Sequence, residues 1–134
     1  MKETDGNDLP NQTLWEHLTA SLPPRIVRQR AQFIAEQYGL YGTQEPDRAQ
    51  AYLNRLLDQY PGVEIALVEI LVETWQQLPP PRGVVFLQRV EARLQQWQTS
   101  YQGPTLPPAH FQHITGLHPL APHLPRPAIA NPLN

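Results

Sequence analysis

Residues 63–78 read VEIALVEILVETWQQL, and this stretch decides the fold class. Its β-branched residues invite a strand, but its length is that of a helix, since strands average about 5–6 residues. Its polar positions, Glu69, Glu73, Gln76 and Gln77, recur at helical spacing and do not alternate. The stretch is therefore predicted to be a helix buried on most of its circumference, with those four side chains as its solvent stripe. Pro79, Pro80 and Pro81 then stop it.

Reading backwards, Pro61-Gly62 is a tight turn, and before it comes the cleanest amphipathic helix of the chain. Ala49, Tyr52, Leu53, Leu56, Leu57 and Tyr60 form one stripe behind Pro46, with Arg48, Asn54, Arg55, Asp58 and Gln59 on the other face. A further helix is predicted from Pro24 to about Tyr38, with Ile26, Val27, Phe33, Ile34 and Tyr38 on one side and Gly39 beyond its end. Thr13 and Glu16 have capping-box spacing, and Leu14, Trp15, Leu18 and Leu22 follow it as a short first helix over 11–22. Residues 1–10 are polar and expected to be disordered.

Reading forwards, Leu87, Val90, Leu94, Trp97 and Tyr101 step by three and four along a last long helix, about 84–101. Eight of the chain's 16 prolines lie from Pro104 onward, which forbids another long helix. One short turn is expected at 107–116, and the remainder reads as irregular. Leu-Pro-Pro recurs at 22–24, 78–80 and 106–108 because it punctuates helices: the residue before proline leaves the α region, and proline itself suits a helix start. The expected organisation is a disordered stretch 1–10, an all-α bundle of four to five helices over 11–103, and a proline-rich, mostly irregular tail over 104–134.

Composition narrows the function classes. The 134 residues carry a formal charge of −2, which argues against nucleic acid as the principal ligand while leaving room for a local basic patch. With no cysteine there is no disulfide framework and no thiolate chemistry. The N-terminus has no apolar signal region, and the most apolar run is broken by Glu64, Glu69 and Glu73. A soluble, cytoplasmic protein that contacts no membrane is the expectation. No nucleophile elbow, P-loop, dinucleotide fingerprint or zinc-protease motif is present, so an enzyme is not expected, nor a cofactor. His110 and His113, with His118 and His123 beyond, lack the cysteines or carboxylates that would complete a metal site. Glu69 and Glu73 are one turn apart, but on a buried helix they read as solvent stripe before acid–base dyad.

Two binding surfaces stand out. Nine of the ten basic residues are arginine; Arg25 with Arg28, and Arg89 with Arg93, would make a guanidinium face for carboxylates or phosphates if their helices lie side by side. The second is a docking segment, Leu106, Phe111, Ile114 and Leu117, a short apolar turn between proline arms that could engage another protein or fold back on its own domain. Residues 49–79, AQAYLNRLLDQYPGVEIALVEILVETWQQLP, resemble the helical hairpin of the RbcX-type Rubisco assembly chaperones, small all-α dimers with a comparable Ala-Tyr-aliphatic start and a proline between the helices. The resemblance covers about a quarter of the chain. That family holds a partner's C-terminal peptide with polar and aromatic residues of its first helix, which have no counterpart in residues 24–38, so no site residue is carried over. The function expected is a non-enzymatic interaction module, an adaptor or assembly factor whose partner is another protein. The alternatives are a small regulatory nucleic-acid-binding domain using the arginine face, and a chaperone of the RbcX kind. A homodimer would follow if the aromatic residues, Trp15, Trp75 and Trp97 among them, stay exposed together.

Overall fold

Proline opens three of the helices, in each case behind a residue in extended or otherwise non-helical conformation. At the first position of a helix its missing N–H costs nothing, because that group has no partner inside the helix anyway. In the computed structural model, which describes residues 23–100 and 103–117, the helices are α1 (Pro24–Gln37), α2 (Pro46–Gln59), α3 (Val63–Glu73), α4 (Val84–Ser100) and α5 (Pro108–Thr115). No strand occurs among the described residues, so the fold is all-α. None of these helices is long and apolar enough to cross a membrane. The first helix expected over 11–22, residues 1–10 and the tail beyond 117 lie outside the described residues.

Side-chain pairs give the directions of the helices. Arg28 meets Asp58 and Gln32 meets Asn54, so α1 and α2 run antiparallel. Arg93 meets Glu69 and Arg89 meets Gln77, so α3 and α4 do the same. Arg30 reaches Glu64 and Tyr38 reaches Trp75, which makes α1 and α3 parallel neighbours; Tyr52 with Glu91 and Tyr60 with Gln95 do the same for α2 and α4. Each of α1 and α4 packs on both α2 and α3, which leaves α1 and α4 diagonally opposed. Gly62 makes the sharp passage from α2 to α3 at φ +80°, and the ring of Trp97 lies where a side chain there would press, 3.4 Å from an added Cβ.

The core is aliphatic with two phenylalanines. Ala31, Ile34 and Ala35 of α1, Leu53 and Leu56 of α2, and Phe86, Leu87, Val90 and Leu94 of α4 close around α3, which is buried from Val63 to Leu71. Leu40, Leu106 and Phe111 complete it. Four expectations change. Phe33 is 46% exposed and Arg30 is buried in its place, because Arg30 and Ile34 are four apart and share a face while Phe33 lies about 100° round the helix. α3 ends at Glu73 and not at Leu78: the Thr74 hydroxyl donates to the Ile70 carbonyl, and tight turns at Trp75 and Gln77 follow. Glu69 is buried and is not part of a solvent stripe. The packed region runs on past 103 to Leu117, because the chain returns and seats α5 against α3. Of the described tryptophans, Trp97 is half-buried against the core and Trp75 is out in solvent, so these two are not exposed together.

Candidate functional site

The four arginines of the expected face are not brought together. Arg25 and Arg28 stand at the start of α1, Arg89 and Arg93 on the diagonal helix α4. Two of them are already engaged by side chains of a neighbouring helix. Arg28 donates to Asn54 Oδ1 at 2.8 Å and to Asp58 Oδ1 at 2.7 Å. Arg93, 17% exposed, forks between Glu69 and Glu73. Burial works against its charge, but the two carboxylates outweigh it and push the guanidinium pKa further up. Arg25 is exposed, and Arg89 donates only a long bond of 3.4 Å to Gln77.

Of the two fates open to the segment Leu106, Phe111, Ile114 and Leu117, the chain takes the second here and packs on its own domain. One oxygen of Glu69 takes Arg93; the other accepts the backbone N–H of Thr105 at 2.6 Å and of Leu106 at 2.9 Å. A carboxylate with three charge-assisted donors pins the returning chain to α3. Leu106 and Phe111 are buried, Ile114 and Leu117 half-buried. Tyr38 donates its hydroxyl to the Ile114 carbonyl at 2.6 Å, tying α5 to α1. Under Phe111 lies the buried pair Arg30–Glu64, Nε to Oε2 at 3.1 Å, with the guanidinium 5.8 Å from the phenyl centroid. Burial pushes the Glu64 carboxyl up and Arg30 opposes it. Arg30 Nη2 is buried with no hydrogen-bond partner, so this pair has little surplus stability and depends on both members staying in place.

With α5 seated, a groove of about 360 Å³ forms between the ends of α1 and α3 and the flank of α5. Its walls are Tyr38, Val72, Trp75, His110, His113 and Ile114. Trp75 lies edge-on to Tyr38, with ring centroids 6.3 Å apart, and is 58% exposed. Val72 is also exposed, and three residues past Trp75 stands Leu78, 91% exposed. Because α3 stops at Glu73, Trp75 falls beyond the helix and outside its buried circumference. Several large apolar side chains standing out from one helix end are the kind of surface that marks an interaction site. Histidines His110 and His113 rim the groove; among the described residues no group of three or more His, Cys, Asp or Glu could hold a metal.

Sequence reasoning found α5 and its apolar side but not the groove, which needs the end of α3 and the docking of α5 together. The one local signal was Thr74, a β-branched, weak helix former whose hydroxyl bonds back to the Ile70 carbonyl at the end of α3. Compared with family models, with curated proteins and with solved structures, the chain gives no significant match, so the likeness of residues 49–79 to the RbcX-type chaperones stands as a resemblance alone.

Proposed function

We infer that this protein acts by binding another protein, as an adaptor or assembly factor, and that the partner lays an apolar segment into the groove walled by Trp75 and Val72. The observation that carries the reading is Trp75 itself: a tryptophan more than half exposed beside an apolar cavity, in a bundle whose other large aliphatic side chains are mostly buried. Tryptophan is enriched among residues that dominate binding energy. The nucleic-acid alternative draws less support, since Arg28 and Arg93 already face carboxylates and the other two arginines lie on diagonal helices.

The test compares tagged full-length wild type, Trp75→Ala and Arg89→Gln by quantitative affinity capture and mass spectrometry, with oligomeric state measured by light scattering. A protein held by wild type and Arg89→Gln, and reduced tenfold or more by Trp75→Ala, is the expected result. Equal recovery by all three removes the groove from the account. Loss with Arg89→Gln alone, or capture of nucleic acid, favours the arginine reading. A wild-type dimer that Trp75→Ala makes monomeric would make the partner a second copy of this chain.

A further inference from the structure

A second cleft, about 620 Å³, opens at the same end of the bundle between the α1–α2 and α3–α4 loops. The loops are stitched together there. Gly83 donates its N–H to the Leu40 carbonyl at 2.7 Å, and a Cβ on Gly42 would come within 3.3 Å of the Gly83 nitrogen. Both glycines hold positive φ, so the approach depends on their lacking side chains. α2 and α4 both begin at this end, and the first turn of α4 carries no acid to offset its positive dipole.

Among the side chains that line the cleft the charges do not balance, with Glu36 near Tyr41 and Asp47 in the first turn of α2 outside the lining. Arg48 and Arg82 line it, and the one lining acid, Glu45, is engaged by Arg48 at 3.1 Å. Arg82 is half-buried and pairs with no carboxylate among the described residues; it donates to the adjacent Pro81 carbonyl at 2.6 Å and lies over the ring of Phe86. Burial holds its pKa below the usual arginine value. A half-buried guanidinium with no carboxylate partner, facing a cleft, is free to take an anion. The Tyr41 hydroxyl, in the same lining, is buried without a hydrogen-bond partner, and Gln44 and Gln88 add amide donors.

We propose that this cleft binds the oxyanion group of a small molecule, a phosphate or a carboxylate, between Arg82, Arg48 and the N-terminus of α4. The planar fork of Arg82 suits either group, and the cavity lies within the range of about 300–1,000 Å³ that small-molecule sites occupy. The site is separate from the Trp75 groove, and neither depends on the other.

The experiment titrates the isotopically labelled full-length chain with inorganic phosphate in one arm and citrate in the other, against sodium chloride at equal ionic strength, and follows backbone amides by NMR. Saturable shifts centred on Gly83, Val84 and Gln44, and affinity at least tenfold weaker in Arg82→Gln, are expected. The arm that binds more tightly identifies the anion. Equal shifts with chloride, shifts scattered over the exposed arginines, or unchanged affinity in Arg82→Gln would overturn the site. Should Arg82→Gln lose its dispersed spectrum, Arg48→Gln decides, since that side chain is exposed: weakened saturable binding supports the site and unchanged binding overturns it.

Discussion

Replacing Phe111 by alanine separates a docking arm from a structural element. The ring is fully buried, and its removal leaves a cavity between α5, α3 and Arg30. Phe→Ala in a core costs about 3–5 kcal/mol, and loss of the ring from a desolvated guanidinium adds up to about 2 kcal/mol. Against a total of about 5–15 kcal/mol for a domain, this takes away a large fraction of the stability. For a domain of this size each kcal/mol moves Tm by about 4–8 °C, so a fall of roughly 12–55 °C is expected in a thermal melt. Urea unfolding followed by circular dichroism measures the free-energy loss, with Phe33→Ala as control. Phe33 is 46% exposed and should cost less than about 1 kcal/mol. The denaturant slope should stay that of wild type if α5 unfolds together with the bundle. A Phe111→Ala loss below about 1 kcal/mol would refute the reasoning, for it would mean that the segment contributes nothing to the fold.

Glu69→Gln removes a charged acceptor from Arg93 and from the Thr105 and Leu106 amides and should cost about 1.5–3 kcal/mol by chemical denaturation, Glu73 still holding Arg93. Arg30→Met leaves the buried Glu64 without its counter-charge and should cost about 3–5 kcal/mol, whereas Arg30→Met with Glu64→Leu together should be more stable than Arg30→Met alone; a double variant no better than the single would contradict this. The Glu91 carboxyl is held below its ordinary pKa, first by the Tyr52 hydroxyl and then by Arg55, so its stabilisation is present above the unfolded pKa and is lost as pH falls through the folded one. Glu91→Gln should therefore flatten the acid limb of a stability–pH curve, and an unaltered limb would count against the assignment. Glu64 has the opposite sign: raised by burial, it contributes stability below its unfolded pKa that is lost as pH rises through the folded value, and Glu64→Gln should remove that loss.

The helix order was legible because proline and apolar spacing act locally. Pro24, Pro46 and Pro108 each mark a helix start, and the stripe Ala49, Leu53, Leu56 is buried as its spacing requires. What was not legible depends on residues far apart in the chain. Arg30 reads as surface until Glu64, 34 residues later, supplies its counter-charge. Glu69 reads as solvent stripe until the chain returns at Thr105 to donate to it. The apolar side of α5 was plain in the spacing of Phe111, Ile114 and Leu117, but spacing does not say against which protein that side packs. Trp75 stands in a stretch whose spacing reads as helix to Leu78, but α3 ends at Glu73, where the Trp75 N–H turns to the Val72 carbonyl, and that leaves the indole beyond the helix.

The groove exists only if residues 103–117 are held as a fixed wall, and amide hydrogen exchange at Leu106 in the full-length chain tests that most directly. Leu106 precedes α5, and its N–H donates to Glu69. Protection of about a thousandfold or more, equivalent to about 4 kcal/mol of opening free energy, and its loss in Glu69→Gln, is the predicted result. Exchange at the rate of a free chain, with the α3 amides still protected, would contradict it and return the segment to the status of an unattached arm.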